Sequence, residues 1–174
     1  MKKLFLVLAV LTAAFAPQTG STADQTVIAS GNATLSFSVS GQPVTCTGTM
    51  FFTFVQRGAN FVASESWGPT TGTTPACSAD SLTFIDVASN AYPSVRQCLP
   101  NGLGGLVSQP YVETVSGSTY TLKATYVLCT APTEVDAFTF TLGSSTIAYS
   151  HKYTSGTTIR TSVTGTLTRA PVSA

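Results

Sequence analysis

Between Thr119 and Thr168 apolar and polar residues alternate over run after run. Tyr120, Leu122, Ala124, Tyr126 and Leu128 fall on one side, with Thr121, Lys123 and Thr125 on the other. Side chains alternate across a strand with a period of two, so this pattern predicts a half-buried strand over Thr119–Cys129. Phe138, Phe140 and Leu142 repeat it, and Ile147, Tyr149, His151 and Tyr153 return after Gly143-Ser144-Ser145. Ser155-Gly156-Thr157 turns the chain again, and Ile159, Val163 and Leu167 mark a last inner face. Short Gly/Ser turns between alternating runs are hairpin signals.

The earlier chain reads the same way. Thr26–Ser30 predicts a short edge strand and Ala33–Ser40 a firmer one, before Gly41-Gln42-Pro43. Val44, Cys46, Met50, Phe52 and Phe54 share a face of Val44–Val55. Arg57-Gly58-Ala59-Asn60 has hairpin-loop composition. Phe61, Ala63, Glu65 and Trp67 then line one side of the returning strand, and Gly68–Pro75 is a loop. Ser81–Val87 is a strand of ambiguous facing, because Leu82 and Phe84 oppose Ile85 and Val87. The long stretch from Ala88 to Pro110 hides at most a short strand near Leu106-Val107, and Tyr111–Val115 leads into the meander. The expected fold is all-β, a single antiparallel β-sandwich of about nine or ten strands, with an up-and-down β-barrel as the alternative.

The first residues read as processing rather than fold. Lys2 and Lys3 precede an apolar run, Leu4–Ala16, too short to span a bilayer. Residues 1–23 are expected to be a signal peptide cut after Ala23, leaving 24–174 as one all-β domain, secreted or periplasmic, with no membrane span. Cysteines 46, 77, 98 and 129 then predict two disulfides. Hairpin counting about Arg57-Gly58 sets Cys46 opposite about residue 69, within reach of Cys77. The same counting about Gly117 joins Cys98 to Cys129.

Charge narrows the function classes. Charged residues make up 9% of the chain, and without Lys2 and Lys3 six basic residues face seven acidic ones, a net charge of −1. Such a surface offers no footprint for nucleic acid. No Cys-x-x-Cys knuckle is present, there is one histidine, and calcium needs more oxygen ligands than are evident. Neither metal nor cofactor is therefore expected. Asn32-Ala33-Thr34 is a glycosylation sequon, of consequence only in a eukaryotic source.

Three residues carry candidate chemistry. Glu65 and Asp86 fall on apolar strand faces, and paired carboxylates are the minimum equipment of a glycosidase. His151, between Tyr149 and Tyr153, has the intrinsic pKa of a general base; the structural alternative is a core histidine with both ring nitrogens bonded. No Gly-x-Ser-x-Gly elbow supports a serine triad. Glu134 and Asp136 read as loop or solvent-face residues. Trp67, Tyr149, His151 and Tyr153 are candidate binding residues, with a core role as the alternative for Trp67. The leading expectation is an exported non-catalytic binding module whose partner is a protein, a glycan or a small apolar ligand. The alternatives are a barrel-shaped carrier of an apolar molecule and a secreted hydrolase acting on a glycan or ester through Glu65, Asp86 or His151.

Overall fold

A computed structural model of the chain describes residues 24–72, 77, 85–91, 94–98, 105–126 and 133–171. The expected signal segment, Leu82, Phe84 and Cys129 lie outside them, as does the side chain of Cys98. The described chain is almost entirely antiparallel strand. These are β1 (Gln25–Val39), β2 (Gln42–Arg57), β3 (Asn60–Gly72), β4 (Ile85–Ser89), β5 (Ser94–Cys98), β6 (Gly105–Gln109), β7 (Val112–Ser116), β8 (Thr119–Tyr126), β9 (Glu134–Leu142), β10 (Thr146–Ser155) and β11 (Thr158–Arg169). No helix among the described residues is long and apolar enough to cross a membrane.

Nine strands form one curled sheet in the order β4-β3-β2-β1-β11-β10-β9-β8-β7, and β5 pairs with β6 separately. The order is up-and-down except where β1 lies beside β11. The layers that face each other are thus two halves of one continuous sheet. Phe52 on β2 meets Phe140 on β9 and Tyr149 on β10, at ring separations of 5.0 and 4.9 Å. Phe54 reaches Phe140 and, at 5.5 Å, Tyr120 on β8. Burying one such ring is worth about 1.5–3 kcal/mol relative to leaving it exposed, so this aromatic seam holds the halves together.

The alternation read from the sequence is the alternation of burial. Met50, Phe52 and Phe54, then Phe61, Ala63, Glu65 and Trp67, then Leu122, Ala124 and Tyr126 all point inward. β1 departs from the expectation of an edge strand followed by a second one. It is a single strand through Gly31 and Asn32, and it sits in the middle of the sheet between β2 and β11. Its hairpin to β2 turns at Ser40-Gly41, both with positive φ, which is the turn whose twist suits a two-residue connection. The turn therefore ends before Gln42-Pro43, which belong to β2.

The 88–110 stretch contains β5 and β6, and it carries the chain from one edge of the sheet, β4, to the other, β7. The two edges meet there: the Tyr111 N–H donates to the Ser89 carbonyl at 3.2 Å. The β2–β3 hairpin places Cys46 opposite Gly72, three residues beyond the expected position, with a register shift between Gly48 and Met50. The Cys46–Cys77 disulfide forms as predicted, with Cα atoms 5.5 Å apart. The Cys98–Cys129 pairing falls outside the described residues.

The outer face explains how so few charges suffice. Thr121, Thr139, Ser150, Thr164, Thr34, Thr47 and Thr71 are successive cross-strand partners from β8 across to β3. Hydroxyls along such a row bond to neighbours, as in the Thr47–Thr71 pair at 3.3 Å, and to water. At the β1–β11 seam Ala33 lies opposite Gly165, and a Cβ there would come within 3.0 Å of both the Ala33 Cβ and the Asn32 carbonyl oxygen. Gly165→Ala is accordingly expected to destabilise the domain by roughly 1–3 kcal/mol, the cost of overpacking. Urea melts check this; unchanged or raised stability would show that the two strands can part at no cost.

Candidate functional site

Four strands deliver a cluster of ionisable side chains to one end of the interior. Glu65 comes from β3, and the pairing of β3 with β4 sets Asp86 directly opposite it. Asp136 comes from β9 and is the cross-strand partner of Tyr153 on β10, two residues beyond His151. Because residues two apart share a face, Tyr149, His151 and Tyr153 all turn toward the interior, and His151 meets the carboxylates there.

His151 is buried and held on both sides. Its Nδ1 lies 3.3 Å from Glu65 Oε2, and its Nε2 lies 2.7 Å from Asp136 Oδ1 and 3.9 Å from Asp86 Oδ2. The Phe138 ring stacks on the imidazole at 3.9 Å and 17°. Burial by itself disfavours the imidazolium. Hydrogen bonding to Asp136 and Glu65, and their charge, outweigh that penalty and push the His151 pKa up to about 10.

The carboxylates are themselves positioned. Trp67 Nε1–H donates to Glu65 Oε1 at 3.1 Å, and the Tyr149 hydroxyl donates to Glu65 Oε2. The Tyr111 hydroxyl donates to Asp136 Oδ2 at 2.9 Å. Burial pushes both phenols well above their ordinary pKa, and the neighbouring carboxylates, Asp136 for Tyr111 and Glu65 for Tyr149, add to it. Both therefore remain donors at neutral pH. Beside the cluster opens a cavity of about 190 Å³, lined by Glu65, Asp86, Asp136, His151, Tyr153, Thr161 and Val163. Asp86, with its side chain 42% exposed, stands at the mouth.

The chemistry follows from who holds which proton. An imidazolium that donates through both nitrogens has no lone pair with which to accept a proton, so His151 is not set up as a general base at neutral pH. Glu65 is fully buried, and both of its oxygens already accept hydrogen bonds. Asp86 and Asp136 reach the cavity with the His151 Nε2 edge between them. The arrangement fits attraction of a positive group better than proton shuttling.

All three residues read from the sequence as candidate chemistry, Glu65, Asp86 and His151, come together. Trp67 and Tyr149 are buried behind Glu65 as its donors, and Tyr153 lines the cavity itself. Asp136 corrects the sequence reading: it is buried at 1% exposure inside β9, not in a loop or on the solvent face. The signal was present, since Asp136 stands two and four residues before Phe138 and Phe140 on the same face. Tyr111 and the buried Gln56–Glu113 pair, bonded at 2.9 Å, also went unread. The phase is there as well: Gln56 continues the inward series of Met50, Phe52 and Phe54, and Glu113 falls between Tyr111 and Val115 on one face. Two wider hollows, one over Asn32–Thr34 and Thr47–Thr49 and one along Thr139, Ser150 and Thr164, are lined mostly by residues that carry a hydroxyl.

No protein-family model matches this chain, and neither the curated proteins nor the solved structures contain a significant match to it.

Proposed function

We propose that this chain is an exported, non-catalytic binding module whose recognition site is the acidic cavity beside His151, and that the ligand presents a small positively charged group. The observation that carries the reading is the double engagement of His151 by Glu65 and Asp136, which commits the strongest proton-transfer groups to each other. Three carboxylates, Glu65, Asp86 and Asp136, line the cavity beside that single imidazole. Export is supported by the apolar leader read from the sequence and by the disulfide, since such bonds persist in oxidising compartments.

A hydrolase is the second reading, favoured by the cross-strand placement of Glu65 and Asp86. The carrier of an apolar molecule has less support, because aromatic rings from both halves of the sheet fill the interior. Glycosidase, esterase and peptidase panels, run with and without divalent cations, are expected to give no turnover above a mock preparation. Calorimetric titration with a short alkylammonium ion is expected to show saturable binding that Asp86→Asn weakens. Turnover that disappears in Asp86→Asn, with the fold intact, would put the hydrolase first.

A further inference from the structure

We infer that the Nε2 of His151 and carboxylate oxygens of Asp86 and Asp136 form a binding site for a divalent transition-metal ion of the zinc type. This rests on the reading of the cavity as a binding site and names the class of cation it takes. The three donor atoms lie within 4.8 Å of one another, on three different strands. Zinc bonds to His nitrogen and carboxylate oxygen are about 2.0–2.2 Å, which sets tetrahedral donor separations of roughly 3.3 Å. The Nε2 separations of 2.7 and 3.9 Å from Asp136 and Asp86 straddle that value, so small side-chain rotations bring all three to bonding distance.

The surroundings are those that tune a metal ligand. A metal-bound histidine characteristically gives its other ring N–H to a carboxylate, which fixes the ring and raises its basicity. Glu65 stands at Nδ1 in that position, and it is itself held by Trp67 and Tyr149. The Tyr111 hydroxyl holds the second oxygen of Asp136, leaving the first directed at Nε2. The donor set is mixed nitrogen and oxygen, which suits a borderline ion better than calcium or magnesium. The cavity of about 190 Å³ on the open side exceeds the ~30 Å³ share of one water, so it has room for the fourth ligand. On binding, the Nε2 proton shared with Asp136 leaves to solvent as the nitrogen–metal bond forms.

The test uses the full chain, stripped with a chelator and dialysed, titrated with zinc chloride in a calorimeter and melted with and without the ion. One saturable site per chain and a raised melting temperature are expected. Asp86→Asn should weaken zinc binding by ~10-fold or more, since even outer partners of metal ligands are worth that much. Asp86 is half exposed, so this variant should keep the metal-free melting temperature, whereas His151→Ala bears on the fold itself. Absence of saturable zinc binding, or zinc binding by Asp86→Asn as tight as by the parent, overturns the inference. If zinc fails while the alkylammonium ion still binds, the cationic-ligand reading stands and the metal alone falls. If neither binds, both fall.

Discussion

Glu65→Ala is expected to destabilise the domain by roughly 3–5 kcal/mol, the usual consequence of removing one partner from a buried charged pair. Truncation leaves the Trp67 N–H, the Tyr149 hydroxyl and the Nδ1–H of His151 without the acceptor they share. For a domain of this size that loss corresponds to a fall of about 10 °C or more in melting temperature. Glu65→Gln keeps the shape and one acceptor oxygen, so it should cost less than Glu65→Ala. Equal losses in the two variants would show that packing, not charge, accounts for Glu65.

The same network sets a dependence on pH. The His151 pKa is raised in the folded state to about 10, against an ordinary value near 6.5. The native protein therefore holds a proton that the unfolded chain releases above about pH 6.5. The stability this contributes is fully present below about pH 6.5 and is lost as pH rises through about 10. Melts of the metal-free protein are expected to show a steady decline from pH 7 to pH 10 that is flattened in His151→Gln. A flat profile in the parent would mean that the imidazole is neutral in the fold.

Reduction of the Cys46–Cys77 disulfide is the other large effect. The bond closes a separation of 31 residues, for which the chain-entropy model gives about 3–4 kcal/mol. That is a substantial part of the ~5–15 kcal/mol net stability of a typical domain. The bond also packs with Val44 in a small apolar cluster, which Phe37 links to the main core. Cys77→Ser, melted beside the parent, is expected to lose about 10 °C. An unchanged melting temperature would show that Cys46 and Cys77 are already held close in the unfolded chain.

Much of this molecule was legible because strand periodicity is a local property. Burial on β2, β3, β8, β9 and β10 follows the alternation of Met50 to Phe54, Phe61 to Trp67, Tyr120 to Tyr126, Phe138 to Phe140 and Ile147 to His151. The same period carried Glu65 and His151 to the interior, and hairpin counting joined Cys46 to Cys77. Two places depart from that pattern. Gly31-Asn32 looked like a break, yet β1 continues through it because the inner positions Ala29, Gly31 and Ala33 are small enough to pass beside β11. Asp136 has the charge of a surface residue and the phase of an inner one, and the phase prevails.

The sequence by itself determined the element type, the inward and outward faces, the first disulfide and the identity of three of the four ionisable residues at the site. Each follows from interactions within a strand or a single hairpin. Only the tertiary structure decided that β1 lies beside β11, that one curled sheet supplies both layers, and that β3, β4, β9 and β10 bring Glu65, Asp86, Asp136 and His151 together. Those outcomes depend on pairing and curvature between strands remote in sequence, which no local pattern encodes. His151 has an ordinary pKa until two carboxylates from other strands close on it, so its charge belongs to the fold and not to the residue.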